Sequence, residues 1–429
     1  MRSIRAGPFD STTGPPSPAI AERFSNFRLR VAGPIIPCAK DFSLVVFLRP
    51  HSRRNSPMSL PDPCRIVSAD DHITPSPLIY GERLPKEFRD RAPRLESRGD
   101  RQVVIFEGSE RPVSGLDAAA GARGKDLLEL VSSKEKGRRG GFEPGPRIED
   151  MDFDGVDVQV LFGSGYGGGI EINSSDRAFR FAMMQVYNDW LAEYCSAAPS
   201  RLVGIAEVPV WDPKLALEEA SRCAKKGLRG VVVPAVPAYQ ESPPEDRPYT
   251  DPIYNDLWAG LADLDMPLNM HLGTRPVTRG LAEQLIIGIA VNKSAMCEPI
   301  ASFIFSGALQ RHPNLRVVSV ESGIGWMAFF VQWIDHVWGR HREHTKSPLT
   351  EPPSFYFHRQ VFGTFIEDKV GVRDRDVIGV ENIMWSSDYP HINSTWPESR
   401  KAIEEHFEGV PDDEVRKMVG ENAAKIYKV

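Results

Sequence analysis

Cysteine is scarce and shows no pairing pattern. The 429-residue chain holds five, Cys38, Cys64, Cys195, Cys223 and Cys297, far apart and without a CxxC. That excludes a disulfide scaffold and points to free thiols in a reducing, cytoplasmic setting. Long apolar runs are also missing. The longest near the N-terminus, Phe42 to Leu48, is far too short to span a bilayer. Basic charge is not in excess: 52 Lys and Arg stand against 58 Asp and Glu, a net charge of −6. No broad basic surface therefore argues for nucleic acid or an anionic membrane. No GxGxxG follows an early strand, and no Walker A motif or GxSxG elbow occurs. A dinucleotide fold, a P-loop enzyme and a nucleophile-elbow serine hydrolase are excluded on those grounds. No internal repeat of short period is visible.

What remains is ordinary globular composition, 41% hydrophobic and 26% charged, which permits a large core. Residues 1–64 stand apart. They are rich in Pro, Ser and Arg and hold little periodicity. Disorder is the plain expectation; the preferred reading is that the protein starts at Met58 and that the upstream residues are an extension. Residues 65–429 form the expected globular domain.

From Ile66 onward strands and helices alternate. Strand-like runs occur at 65–71 and in VDVQVLF, RLVGIAEVPV, RGVVVPA, MPLNMH, LRVVSVE, RQVFGTF and ENIMWSSD. Near-continuous β-branched runs such as VVVPA are what buried parallel strands require. Helical spacing marks the segments between them, with Asp212-Pro213 as the start of one and Gly227 as its end. Eight such units predict an α/β fold, a (β/α)8 TIM barrel, with an open doubly wound sheet as the alternative. A long insertion, about 73–146, follows the first strand and contains a hairpin-like piece, RQVVIFEGSERPVSG.

The chemistry gathers at strand ends. Asp70 and His72 stand two apart on the first strand, a spacing that puts both on one face. His271 closes the fifth strand, Glu321 follows the sixth, and Asp388 closes the eighth in WSSDYPH. C-terminal strand ends of a barrel converge on one pocket. Asp70, His72, His271 and Asp388 together form the expected set of ligands for a divalent metal, with mixed nitrogen and oxygen donors. Zn2+ is the first choice, with Mn2+ and Fe2+ open. Glu321 is expected to be a general acid/base, a ligand to a second ion, or a loop carboxylate. His391 is expected to contact substrate. Of the basic residues after the first strand, Arg83 is the candidate to hold a substrate carboxylate.

The pieces SADDHI, YNDWLAEYCSAAPSRLVGIAEVPVWDP, GLRGVVVPA, YNDLWAGLADLDMPLNMH, LQRHPNLRVVSVESGIGW and IMWSSDYPH resemble the amidohydrolase superfamily. The resemblance is to its amidohydrolase-related group, which includes aminocarboxymuconate-semialdehyde decarboxylase. It implies a TIM barrel, often dimeric, with a metal at the strand ends. Carried over, the group's first-strand His-x-His is Asp70-x-His72 here, His271 and Asp388 match later ligands, and a strand-six catalytic His is replaced by Glu321. That replacement turns the expectation toward hydrolysis. Asp388 or Glu321 would accept a proton from an activated water, which attacks an ester, amide, lactone or thioester carbonyl of a small organic acid-type substrate. The alternative is a metal-dependent non-oxidative decarboxylase of an aromatic or unsaturated carboxylic acid. A third reading is a metal-free binding protein on a barrel scaffold.

Overall fold

The computed structural model describes residues 60–61, 64–99, 101–113, 115–130, 137–163, 174–237, 247–272, 287 and 290–429. The readings of residues 1–59, disorder and a start at Met58, lie outside these. Among the described residues no helix is long and apolar enough to cross a membrane.

Twelve strands are resolved in chain order among the described residues: β1 (Val67–Ile73), β2 (Arg94–Arg98), β3 (Arg101–Phe106), β4 (Ser109–Pro112), β5 (Val158–Gly163), β6 (Leu202–Gly204), β7 (Ala206–Glu207), β8 (Val231–Val233), β9 (Leu268–His271), β10 (Val317–Val320), β11 (Val361–Phe365) and β12 (Ile383–Trp385). β1, β5 and β6 pair in parallel, and β7 through β12 form a second parallel run. β6 and β7 are one barrel strand interrupted at Ile205, whose N–H still reaches the Leu161 carbonyl at 3.0 Å. The ring closes between β12 and β1, where Asp388 N–H donates to the Asp70 carbonyl at 2.9 Å and Ser387 N–H to Ser68 Oγ at 2.7 Å. The result is the expected TIM barrel. Its interior is filled by inward residues of alternating strands, among them Val67, Val160, Phe162, Val203, Val318 and Met384. A larger cluster around Trp258, Phe303 and Phe357 packs outside the ring.

Several elements differ from the sequence pattern. The predicted hairpin has a third strand, β2, so that β2, β3 and β4 form a small antiparallel sheet. β2 is charged on most positions and largely exposed, so no apolar alternation announced it. The helical segment before β10 is two pieces, Cys297–Phe305 and Ala308–Arg311, because Gly307 takes a left-handed φ of 74° between them. β1 carries a register irregularity between Ser68 and Asp71 against β5.

The helix Pro213–Lys225 starts as expected. Asp212 caps it, its carboxylate accepting from Leu215 N–H at 3.1 Å, and Pro213 occupies the first turn. Asp212→Ala removes an acceptor from an orphan helix N–H and is expected to cost about 1 kcal/mol in urea unfolding, with catalytic activity unchanged.

The insertion is fastened beside the strand-eight end. Thr74 N–H donates to Gly141 O at 2.9 Å and Ala120 N–H to Pro390 O at 2.8 Å. The Arg138 guanidinium lies 3.8 Å over the Trp396 ring. A cleft of about 280 Å³ lies between Gly121–Leu127 and Ile392–Trp396.

Candidate metal centre

The polar residues at the strand ends meet. His72 Nε2 lies 3.4 Å from Asp70 Oδ1, 3.4 Å from Asp388 Oδ1 and 3.2 Å from His271 Nε2. His271 Nε2 is 3.3 Å from Asp70 Oδ1 and 3.9 Å from Glu321 Oε2. His391 stacks on His72 with ring centroids 3.9 Å apart and shares a hydrogen bond of 2.9 Å between its Nδ1 and Asp388 Oδ1. Asp70, His72, His271 and Asp388 are all buried. The structure thus gathers Asp70, His72, His271, Glu321, Asp388 and His391. It does not bring Arg83 to them. Arg83 sits on the short helix Ile79–Arg83 and pairs with Glu193 at 2.9 Å on the surface, because that helix packs against the outer helix Arg177–Cys195 and not over the barrel mouth.

Local backbone explains part of the convergence. Glu321 and Asp388 both take left-handed φ values, 57° and 60°. For residues with a Cβ this costs on the order of 1 kcal/mol or more each. The turn after β10 is held by Thr364 Oγ1, which accepts from Glu321 N–H at 2.8 Å. Asp368 accepts from Ile324 N–H and Gly325 N–H at 2.8 and 2.7 Å. The turn after β12 is held by His72 N–H donating to Tyr389 O at 2.6 Å.

The donor set fits a divalent cation. His271 Nδ1 lies 2.7 Å from the Leu272 carbonyl; an N–H there turns the Nε2 side of the neutral ring to the cluster as the ligating edge. Asp70 Oδ2 and Asp388 Oδ2 are buried with no hydrogen-bond partner among the described residues, which is costly for a carboxylate that nothing else neutralises. Ligands at 2.0–2.2 Å from one ion stand about 3.0–3.6 Å apart, the range of the Nε2 and Oδ1 separations here.

Electrostatics are strongly mixed. Burial opposes ionisation of Asp70, but His271 and His72 outweigh it and hold its carboxyl below the usual range. Burial and His391 push His72 down to about 4. Burial also disfavours charge on His271, yet Asp70 raises it to about 9. His391 likewise overcomes burial through Asp388 and rises to about 9. Burial and the neighbouring Asp388 lift Glu321 to about 7.

The profile of the Amidohydrolase family matches residues 70–429. The chain belongs to the amidohydrolase family. It is 28% identical over 234 residues to a gamma-resorcylate decarboxylase of Rhodococcus jostii, a match spanning 48% of this chain and 65% of that protein. It is 24% identical over 253 residues to a 2-amino-3-carboxymuconate-6-semialdehyde decarboxylase of Dictyostelium discoideum, covering 58% and 67% respectively. In fold, this amidohydrolase-family barrel resembles a manganese-bound 5-carboxyvanillate decarboxylase from Novosphingobium aromaticivorans. That likeness has a TM-score of 0.63 at 17% identity and covers 87% of this chain and 100% of that one. These relatives are decarboxylases, and that finding overturns the expectation of carbonyl hydrolysis.

Two residues of the site escaped the sequence reading. Asp71 is buried between the cluster and the outer layer, and Arg147 is fully buried behind it. A basic residue inside the otherwise amphipathic RIEDMDFDG was the available signal for the second.

Proposed function

We propose that this chain is a metal-dependent, non-oxidative decarboxylase of an aromatic or unsaturated carboxylic acid. The observation that carries the reading is the convergence of two imidazole Nε2 atoms with two buried carboxylates whose Oδ2 atoms have no hydrogen-bond partner among the described residues. The decarboxylase relatives support the choice of reaction. Asp70, His72, His271 and Asp388 would hold the ion, Zn2+ or Mn2+. When bound, the cation supplies positive charge that orients the anionic oxygens of the substrate.

The chain's own groups handle the proton. As the C–C bond to the carboxylate breaks and CO2 leaves, the vacated carbon must gain one proton. Glu321, whose carboxyl burial and Asp388 lift to about 7 in the metal-free protein, is the group placed to supply it. His391, raised to about 9 by Asp388 in the metal-free protein, stands beside the cluster as the imidazole that would contact substrate. Phe162, with its ring 6.4 Å from His72 and 5.5 Å from His271, adds an aromatic surface next to the cluster. The four described cysteines are free, in keeping with a cytoplasmic enzyme.

The test is product analysis in D2O, with metal-loaded protein and a panel of dihydroxybenzoates and carboxyvanillate-type acids. Release of CO2 with one deuterium at the vacated carbon is expected. Turnover that releases an alcohol or amine and no CO2 overturns the reading.

Metal binding should depend on pH. His271 is protonated below about 9 in the absence of metal, and a ligating Nε2 must be neutral, so binding at neutral pH expels its proton. Apparent affinity should rise up to about tenfold per pH unit between pH 7 and 9. Calorimetry in two buffers of different ionisation heat reads the proton directly; a pH-independent affinity would remove His271 from the ligand set.

A further inference from the structure

Arg147 projects from the helix Pro144–Asp154 into the layer behind the cluster and is fully buried. Each guanidinium nitrogen has a defined acceptor. Nε donates to Gly140 O at 2.7 Å, Nη1 to Gln159 Oε1 at 2.8 Å, and Nη2 to the His72 carbonyl. Gln159 extends the chain: its Nε2 donates to Asp71 Oδ1 at 3.2 Å. The same oxygen accepts from Tyr389 N–H at 3.0 Å, and the Tyr389 ring lies 4.8 Å under the guanidinium.

A buried, permanently charged guanidinium is expensive, and apolar residues of similar volume often pack at least as well. Its position therefore calls for a reason beyond packing. The acceptors supply one. Arg147 holds the backbone of His72, whose Nε2 faces the cluster, and through Gln159 and Asp71 it holds Tyr389, the residue after Asp388. β1 pairs with β5 again at Asp71–Ile73, with His72 opposite Phe162, only after a register break between Ser68 and Asp71, and the Arg147 contact to the His72 carbonyl adds a second hold just past that break. Arg147 also grips Gly140, so the insertion and the barrel share one anchor.

We propose that Arg147 is a positioning residue: through the His72 carbonyl and the Gln159–Asp71 relay, it holds His72 and the Asp388–Tyr389 turn at the separation a metal ion requires. This rests on the reading of the cluster as a metal centre. Groups that orient metal ligands are worth about 10- to 100-fold in metal affinity, and Arg147 acts on two of the ligand-bearing segments.

The experiment compares wild type, Arg147→Met, Arg147→Lys and Gln159→Leu as full chains. Three readouts are taken: Mn2+ and Zn2+ affinity, the visible spectrum of the Co2+-substituted protein, and thermal unfolding without metal. Arg147→Met is expected to lose about 10- to 100-fold in affinity and to shift the Co2+ bands. Arg147→Lys, which keeps the charge and one donor, should recover part of both. Gln159→Leu should lose several-fold. Affinity and Co2+ bands unchanged in Arg147→Met, with only the unfolding temperature lowered, overturn the inference and leave Arg147 a packing residue. If neither Arg147 variant folds, Gln159→Leu decides, and wild-type affinity and spectrum there overturn it. A wild-type chain that takes up neither ion overturns the metal reading and this inference together; metal lost in His271→Ala but unchanged across the Arg147 and Gln159 variants overturns this inference alone.

Discussion

Replacing His271 with Ala is expected to strip the metal from the protein and to lower kcat/KM by about a thousandfold or more. A metal contributes several kcal/mol of charge stabilisation, and each 1.36 kcal/mol is about tenfold in rate. The choice of His271 over the other ligands follows from geometry. Its Nδ1 is tied to the Leu272 carbonyl, and Nε2 faces the cluster, where His72 Nε2 and Asp70 Oδ1 lie at 3.2 and 3.3 Å. Truncation removes that nitrogen and leaves Asp70 without the neighbour that most favours its ionised form. Elemental mass spectrometry checks the loss. Thermal unfolding checks it independently, because a ligand bound only to the native state stabilises it in proportion to the logarithm of its concentration. Added Zn2+ or Mn2+ should raise the melting temperature of wild type and not that of His271→Ala. Full metal content in the variant would sink the assignment.

The barrel and the convergence of most of the candidate residues are legible in the sequence, for one physical reason. Parallel strands buried on both faces must be apolar, so a polar residue at the end of such a run is conspicuous. Asp70, His72, His271, Glu321 and Asp388 stand out that way as candidates, and His391 by its distance from Asp388; the fold brings all six together. What was not legible has equally specific causes. Asp71 is hidden by its neighbours Asp70 and His72, because strand alternation turns it to the outer layer, where Gln159 meets it. Arg147 reads as one charge among several in a helix, and only the fold shows it to be the buried face. Arg83 looked free in the sequence, but its partner Glu193 lies 110 residues away. β2 has no apolar face to betray it.

The reaction was the larger miss, and Glu321 explains it. A carboxylate at a strand end can take a proton from water or give one to carbon. Which it does depends on its protonation state when substrate arrives, and that state is set by burial and by Asp388, neither visible in VESGIGW. Read as an ordinary carboxylate, Glu321 is a base and implies hydrolysis. Lifted to about 7 in the metal-free protein, it can carry a proton close to neutral pH, which suits the decarboxylation of the relatives.

That argument makes Glu321→Gln the second decisive variant. Loss of a positioned general acid costs about 10²- to 10⁴-fold in kcat, so a fall of that size is expected with metal content unchanged. The pH profile carries the sign. If Glu321 must be protonated, activity falls as pH rises through its pKa, about 7 in the metal-free protein. A bound cation favours the carboxylate and moves that limb lower. Glu321→Gln cannot lose a proton, so its residual activity should show no falling limb there. A base role predicts the opposite, a wild-type rate that rises through the same pH. A Glu321→Gln protein that has lost its metal would instead make this residue a ligand, since its Oε2 already lies 3.9 Å from His271 Nε2.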